Sequence, residues 1–171
     1  MNDVKREIIS KWILENNISE IECLVPDMTG NARGKFIPAK KFLKQESRLP
    51  EGILAQTVTG EYSEDFWDLL GTIDGDMLLE PDPDTIRMVP WANEITGQII
   101  HDCYTKDGKS HDFSSRAILK KILKLYEREN LMPVIAPEME FYLVEKNPNP
   151  GLPFKPPMGR SGRPETARQS Y

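Results

Sequence analysis

Pro133-Val-Ile-Ala-Pro-Glu-Met-Glu-Phe-Tyr-Leu-Val144 is an apolar run interrupted by two carboxylates, Glu138 and Glu140, set two residues apart. Side chains alternate faces along a strand, so Glu138, Glu140 and Tyr142 are predicted on one face and Met139, Phe141 and Leu143 on the other. Apolar neighbours on both sides of the acids predict a buried strand. A carboxylate in such a setting needs a cation or a proton to offset its lost solvation. Mg²⁺ or Mn²⁺ meets that need, because these hard ions prefer carboxylate oxygen and retained water to nitrogen or sulfur. A strand with one wet face is the plainer reading of the same residues.

Immediately upstream, Ser114 or Ser115 caps a predicted helix with Ile118, Leu119, Ile122 and Leu123 on its apolar side and Lys120, Lys121 and Lys124 outside. Asn130 and Pro133 close it. Because the helix leads directly into the Glu138 strand, a domain boundary is placed near Asp112, which divides the chain into 1–111, 112–146 and 147–171. The last part, from Asn147-Pro-Asn-Pro-Gly to Arg163-Pro164, contains little that can pack and reads as a Pro-rich loop.

The N-terminal part opens with Val4, Ile8, Ile9, Trp12 and Ile13 at helical spacing, which predicts an amphipathic helix over about 3–16. Ile21–Val25 and Ala32–Ile37 read as a hairpin around Asp27–Asn31, with Gly30 supplying a backbone angle that other residues resist. Arg33 and Lys35 read either as a solvated hairpin face or as substrate contacts. A short helix is expected at Ala39–Leu43 and a strand at Gly52–Val58. An acidic segment, 61–68, follows with Tyr62, Phe66 and Trp67, which pack under it or form a lid or an interface. Asp74–Glu80 and Thr85–Val89 are predicted strands around a Pro81–Asp84 turn. Gly97–Tyr104 with Asp107-Gly108 predicts a further hairpin. Strands and few helices of this kind predict an antiparallel α+β domain.

A formal net charge of −5 argues against nucleic acid and anionic membrane as partners. The charged start and the absence of any long apolar run predict a cytoplasmic protein. Cys23 and Cys103 have no CxxC spacing and read as buried thiols, and His101 and His111 as surface or satisfied residues. Asp74, Asp76, Glu80, Asp82 and Asp84 lack the spacing of a calcium loop and read as turn chemistry and surface.

Pro137-Glu-Met-Glu-Phe-Tyr-Leu143 resembles the Glu-x-Glu-Phe strand that opens the catalytic domain of the glutamine synthetase family. Asp27-Met-Thr-Gly-Asn-Ala-Arg-Gly-Lys-Phe-Ile-Pro38 is similar to that family's Asp-x-x-Gly-x-x-Arg-Gly-Lys-x-Ile-Pro hairpin, notably in the gamma-glutamylpolyamine synthetase branch. The resemblance implies a beta-grasp domain over 1–111, then the opening helix and metal-bearing strand of a catalytic α+β domain over 112–146, and a truncated chain. It implies that Glu138 and Glu140 are metal ligands for Mg²⁺ or Mn²⁺, with ATP as co-substrate and glutamate joined to ammonia or a primary amine. It also implies a homo-oligomer with active sites between subunits. The family's further glutamates, histidine and arginines are not in this sequence, so residues 1–171 alone are expected to bind metal weakly and to be inactive. The family's ammonium-binding aspartate falls at or next to Thr57, where no acid stands, and this departure favours an amine acceptor. The alternative is a non-catalytic beta-grasp interaction module or a decayed enzyme.

Overall fold

The computed structural model describes residues 1–62, 64–66, 68 and 75–166. Trp67 and Asp74, both singled out above, lie outside them. The chain forms two compact units, Met1–Met132 and Pro133–Tyr171.

The first unit begins with α1 (Asp3–Glu15), whose Asn2 side chain caps it by accepting from Lys5 N at 2.9 Å. Ile9 and Ile13, one turn apart, are its buried residues. There follow β1 (Glu20–Pro26), β2 (Ala32–Pro38), α2 (Ala39–Phe42), β3 (Ser47–Pro50), β4 (Asp76–Pro81), β5 (Arg87–Met88), β6 (Thr96–Tyr104) and α3 (Ser115–Arg128). Among the described residues the strands make one sheet in the order β2-β1-β6-β4-β3, with β5 on β6. The protein is therefore mixed α+β.

Most pairs are antiparallel as expected, but β1 and β6 run parallel, with Cys23 opposite Ile99. A parallel pair needs a long crossover, which the chain between them supplies. Helix α1 lies close over this pair, so that a Cβ at Gly97 would stand 2.8 Å from the Trp12 ring. Ile9, Ile13, Ile21, Cys23, Phe42 and Ile99 form one apolar cluster there. A second gathers Val25, Leu49, Leu54, Met77, Leu79 and Cys103.

Three expectations are corrected. Residues 52–58, expected as a strand, begin instead as a 3-10 helix over Glu51–Ala55. The run has no two-residue alternation of polarity, and it buries Gly52 and Leu54 while Ile53 stays half-buried. His101, expected at the surface or satisfied, is fully buried. Its Nδ1 lies 3.1 Å from the Ile99 carbonyl, its ring stands edge-on to Phe42, and its Nε2 meets no well-formed hydrogen bond among the described residues. Burial pushes its pKa down to about 4, so the ring is neutral. The third concerns 133–144, which forms no strand.

The Asp107-Gly108 turn forms as expected, with Thr105 N donating to Lys109 O at 2.8 Å and Gly108 at a φ of +79°. Both cysteines are buried, and burial pushes each thiol up to about 12. Helix α3 starts where the sequence places it, with Ser114 Oγ accepting from Ala117 N at 3.3 Å. Arg116 ties its first turn to Asp102 at 2.9 Å and to Asp82. Its apolar stripe, Leu119 among it, remains half-exposed. Among the described residues no helix is long and apolar enough to cross a membrane.

Candidate functional site

The β1–β2 turn is built around Asp27, which is only 1% exposed. Its Oδ1 accepts from Thr29 N at 2.9 Å, Thr29 Oγ1 at 2.8 Å and Asn31 N at 2.9 Å, and its Oδ2 accepts from Arg33 Nε at 2.7 Å. Burial works to raise the Asp27 pKa. The bonds from Arg33, Thr29 and Asn31 together outweigh it, so the carboxyl sits below the usual carboxylate range. Gly30, at a φ of +83°, makes the left-handed corner of the turn. A Cβ at Gly34 would collide with the Cys23 carbonyl across the strand pair, which accounts for glycine in Arg33-Gly34-Lys35.

Arg33 does not stop at Asp27. Its Nη2 donates to Thr57 O at 2.8 Å, and Asn31 Nδ2 donates to Val58 O at 3.1 Å. The turn thereby holds a second, small turn in which Gln56 pairs with Tyr62 and Gly60 N donates to Thr57 O at 3.0 Å. Thr57 Oγ1 completes it by accepting from Glu61 N at 3.1 Å. Val58 and Tyr62 face solvent on this turn, Tyr62 with its ring 4.3 Å from that of Phe66. Arg33 is therefore a structural clamp, neither a solvated face nor a free cation. Lys35 is also engaged, donating to Arg48 O at 2.6 Å. Sequence reading missed the clamp; the one available signal was an acid six residues ahead of an arginine across a turn, which can pair only if the hairpin forms.

In the second unit, 133–144 carries no strand or helix, contrary to the buried strand expected there. Strands are made by cross-strand hydrogen bonds, and among the described residues no segment pairs with this run. Glu138 and Glu140 are both exposed, and so are Met139 (86%) and Phe141 (74%), so the run is open on both predicted faces. Neither glutamate makes an ion pair or side-chain hydrogen bond among the described residues. Beyond the run, Glu145 N donates to Lys155 O at 2.9 Å, and Gly159 N donates to Arg163 O at 2.9 Å beside a Met158–Pro164 bridge. The Pro-rich segment is thus a series of turns.

As donors, two free carboxylates fit a hard divalent ion in kind but not in number. Among the described residues no group of three or more His, Cys, Asp or Glu side chains could hold a metal. Four other acids are committed to cations of the chain: Glu80 takes Lys5 at 3.0 Å, Asp82 and Asp102 take Arg116, and Asp27 takes Arg33.

No family model matches the chain. Among curated relatives, a glutamine synthetase of Pyrococcus woesei is 32% identical over 133 residues, covering 78% of this chain and 28% of its own. The gamma-glutamylputrescine synthetase PuuA of Escherichia coli is 28% identical over 149 residues, covering 82% and 30%. A solved structure described as a GmaS/ADP complex superposes with a TM-score of 0.52 over 71% of this chain and 26% of that one, at 20% identity. That likeness shows a shared α+β fold. The chain belongs to the glutamine synthetase family, and it spans between a quarter and a third of the length of the relatives it matches.

Proposed function

We propose that the protein is an ATP-dependent ligase of the glutamine synthetase type, joining glutamate to ammonia or a primary amine. The observation that carries this reading is the 32% identity to a glutamine synthetase over 78% of the chain. The likeness to a gamma-glutamylputrescine synthetase over 82% supports an amine as well as ammonia for the acceptor. No acid stands at Thr57 or Val58, and this favours the amine. On this reading 1–111 is a beta-grasp domain, 112–146 opens the catalytic domain, and 147–171 is a loop of that domain. The protein is a homo-oligomer, and it works in the cytoplasm, where ATP and glutamate are held.

In such a reaction the γ-phosphoryl group of ATP passes to the γ-carboxylate of glutamate, giving ADP and γ-glutamyl phosphate. The amine nitrogen then attacks the activated carbonyl carbon, the bond to phosphate oxygen breaks, and phosphate and a proton leave. Mg²⁺ or Mn²⁺, when bound, would neutralise phosphate charge during transfer. Glu138 and Glu140 would hold it through hard oxygen atoms that no other side chain occupies among the described residues. Met139 and Phe141 offer the apolar flank on which covering chain would exclude water from that segment. Asp27, Arg33 and Asn31 keep the Thr57–Gly60 turn in one place.

The test is phosphate release by the intact protein with ATP, glutamate and Mg²⁺, comparing ammonium with putrescine. Release that requires both glutamate and one of the acceptors is expected. No release with either would overturn the reading. Residues 1–171 by themselves are expected to show no turnover.

A further inference from the structure

Between the start of α1, the link from α2 to β3, and strand β4 lies a cleft of about 380 Å³. That volume falls in the range of small-molecule sites, about 300–1,000 Å³. The cleft belongs to the first unit and contains neither Glu138 nor Glu140. Its floor is apolar, since Phe42 and Leu79 line it and are 3% and 6% exposed.

Its walls are basic. Lys5, Arg6 and Lys44 all line it. Lys5 is offset by Glu80 at 3.0 Å, and that same carboxylate takes the Met1 amino group at 2.8 Å. The other acid on the wall, Glu46, is held by Arg48 at 3.0 Å. Arg6 and Lys44 make no ion pair among the described residues. In a chain of formal net charge −5, two uncompensated cations therefore stand over an apolar floor. A guanidinium and an ammonium at the rim match a phosphate or carboxylate group, and the floor matches a flat apolar body.

We propose that this cleft binds a small organic anion with an apolar body, its charged group between Arg6 and Lys44 and its body on Phe42 and Leu79. The ligand class is set by the two halves of the site together. A bare inorganic anion leaves the floor wet, and a neutral aromatic leaves the cations unanswered. The site is separate from the ligase chemistry proposed above and stands or falls without it.

The test is calorimetric titration of the intact protein with phenyl phosphate, inorganic phosphate and benzyl alcohol. Saturable, one-to-one binding of phenyl phosphate is expected, with the other two weaker by about tenfold or more, a difference of about 1.4 kcal/mol. The Arg6→Glu/Lys44→Glu variant is expected to weaken phenyl phosphate by about tenfold or more at unchanged melting temperature, and Lys40→Glu, outside the cleft, to leave it unchanged. Should the double variant not fold, Lys44→Gln carries the same test with a smaller loss. Equal binding of phosphate and phenyl phosphate, equal loss in the Lys40 variant, or no saturable binding would each overturn the proposal.

Discussion

Asp27 and the pair Glu138 and Glu140 are carboxylates in two motifs of one family, and their surroundings are opposite. Asp27 is buried and receives four hydrogen bonds, one of them from a guanidinium. Glu138 and Glu140 are exposed and receive none among the described residues. A carboxylate whose lone pairs are filled by its own chain holds that chain together. One whose lone pairs are free is available to a ligand. The contrast separates a structural motif from a candidate ligand-binding one where residue type alone does not.

The sharpest way to break the comparison is truncation. Asp27→Ala leaves Arg33 partly buried without its partner and unties the β1–β2 turn, at an expected cost of about 3–5 kcal/mol. Glu138→Gln with Glu140→Gln is expected to change stability by no more than about 0.5 kcal/mol, as for exposed residues without partners. Urea denaturation of both variants checks the pair of numbers; similar losses in the two would erase the distinction.

A second test uses pH. His101 has its pKa lowered in the folded state from 6.5 to about 4, so the unfolded chain binds the proton first as pH falls. Its contribution is present above pH 6.5 and is lost progressively as pH falls, the loss reaching about 3 kcal/mol at pH 4. Asp27, with its pKa lowered, also loses its contribution on acidification, as pH falls through its folded value. Denaturation midpoints of wild type and His101→Leu across pH 4–7 separate the two, since only the wild type should carry the histidine slope. A smaller effect is expected at Ser114→Ala, about 1 kcal/mol for the lost cap of α3, measured in the same way.

What the sequence shows well is local. The start of α3 could be read from Ser114 and the spacing of Ile118, Leu119 and Ile122, because a cap and a helical period lie within a few residues of each other. The hairpin at Asp27 and the turn at Gly108 were legible for the same reason. The parallel pairing of β1 with β6 was not, since it joins residues about 76 apart through backbone atoms that every sequence has. Nor was the bond from Arg33 to Thr57, made to a carbonyl 24 residues away. His101 was misread because its burial depends on α2 and Phe42 folding over it. The Glu138 run shows the converse error: its pattern is that of a buried strand, but burial needs partners that the pattern does not contain.

The most direct test of the account is Mn²⁺ binding by the intact protein, followed by loss of the free-ion electron paramagnetic resonance signal. Glu138→Gln and Glu140→Gln should each weaken binding by about tenfold or more while the melting temperature stays unchanged, since each removes a charged oxygen ligand and no structural contact. Unchanged Mn²⁺ affinity in both variants would contradict the assignment of this pair as metal ligands.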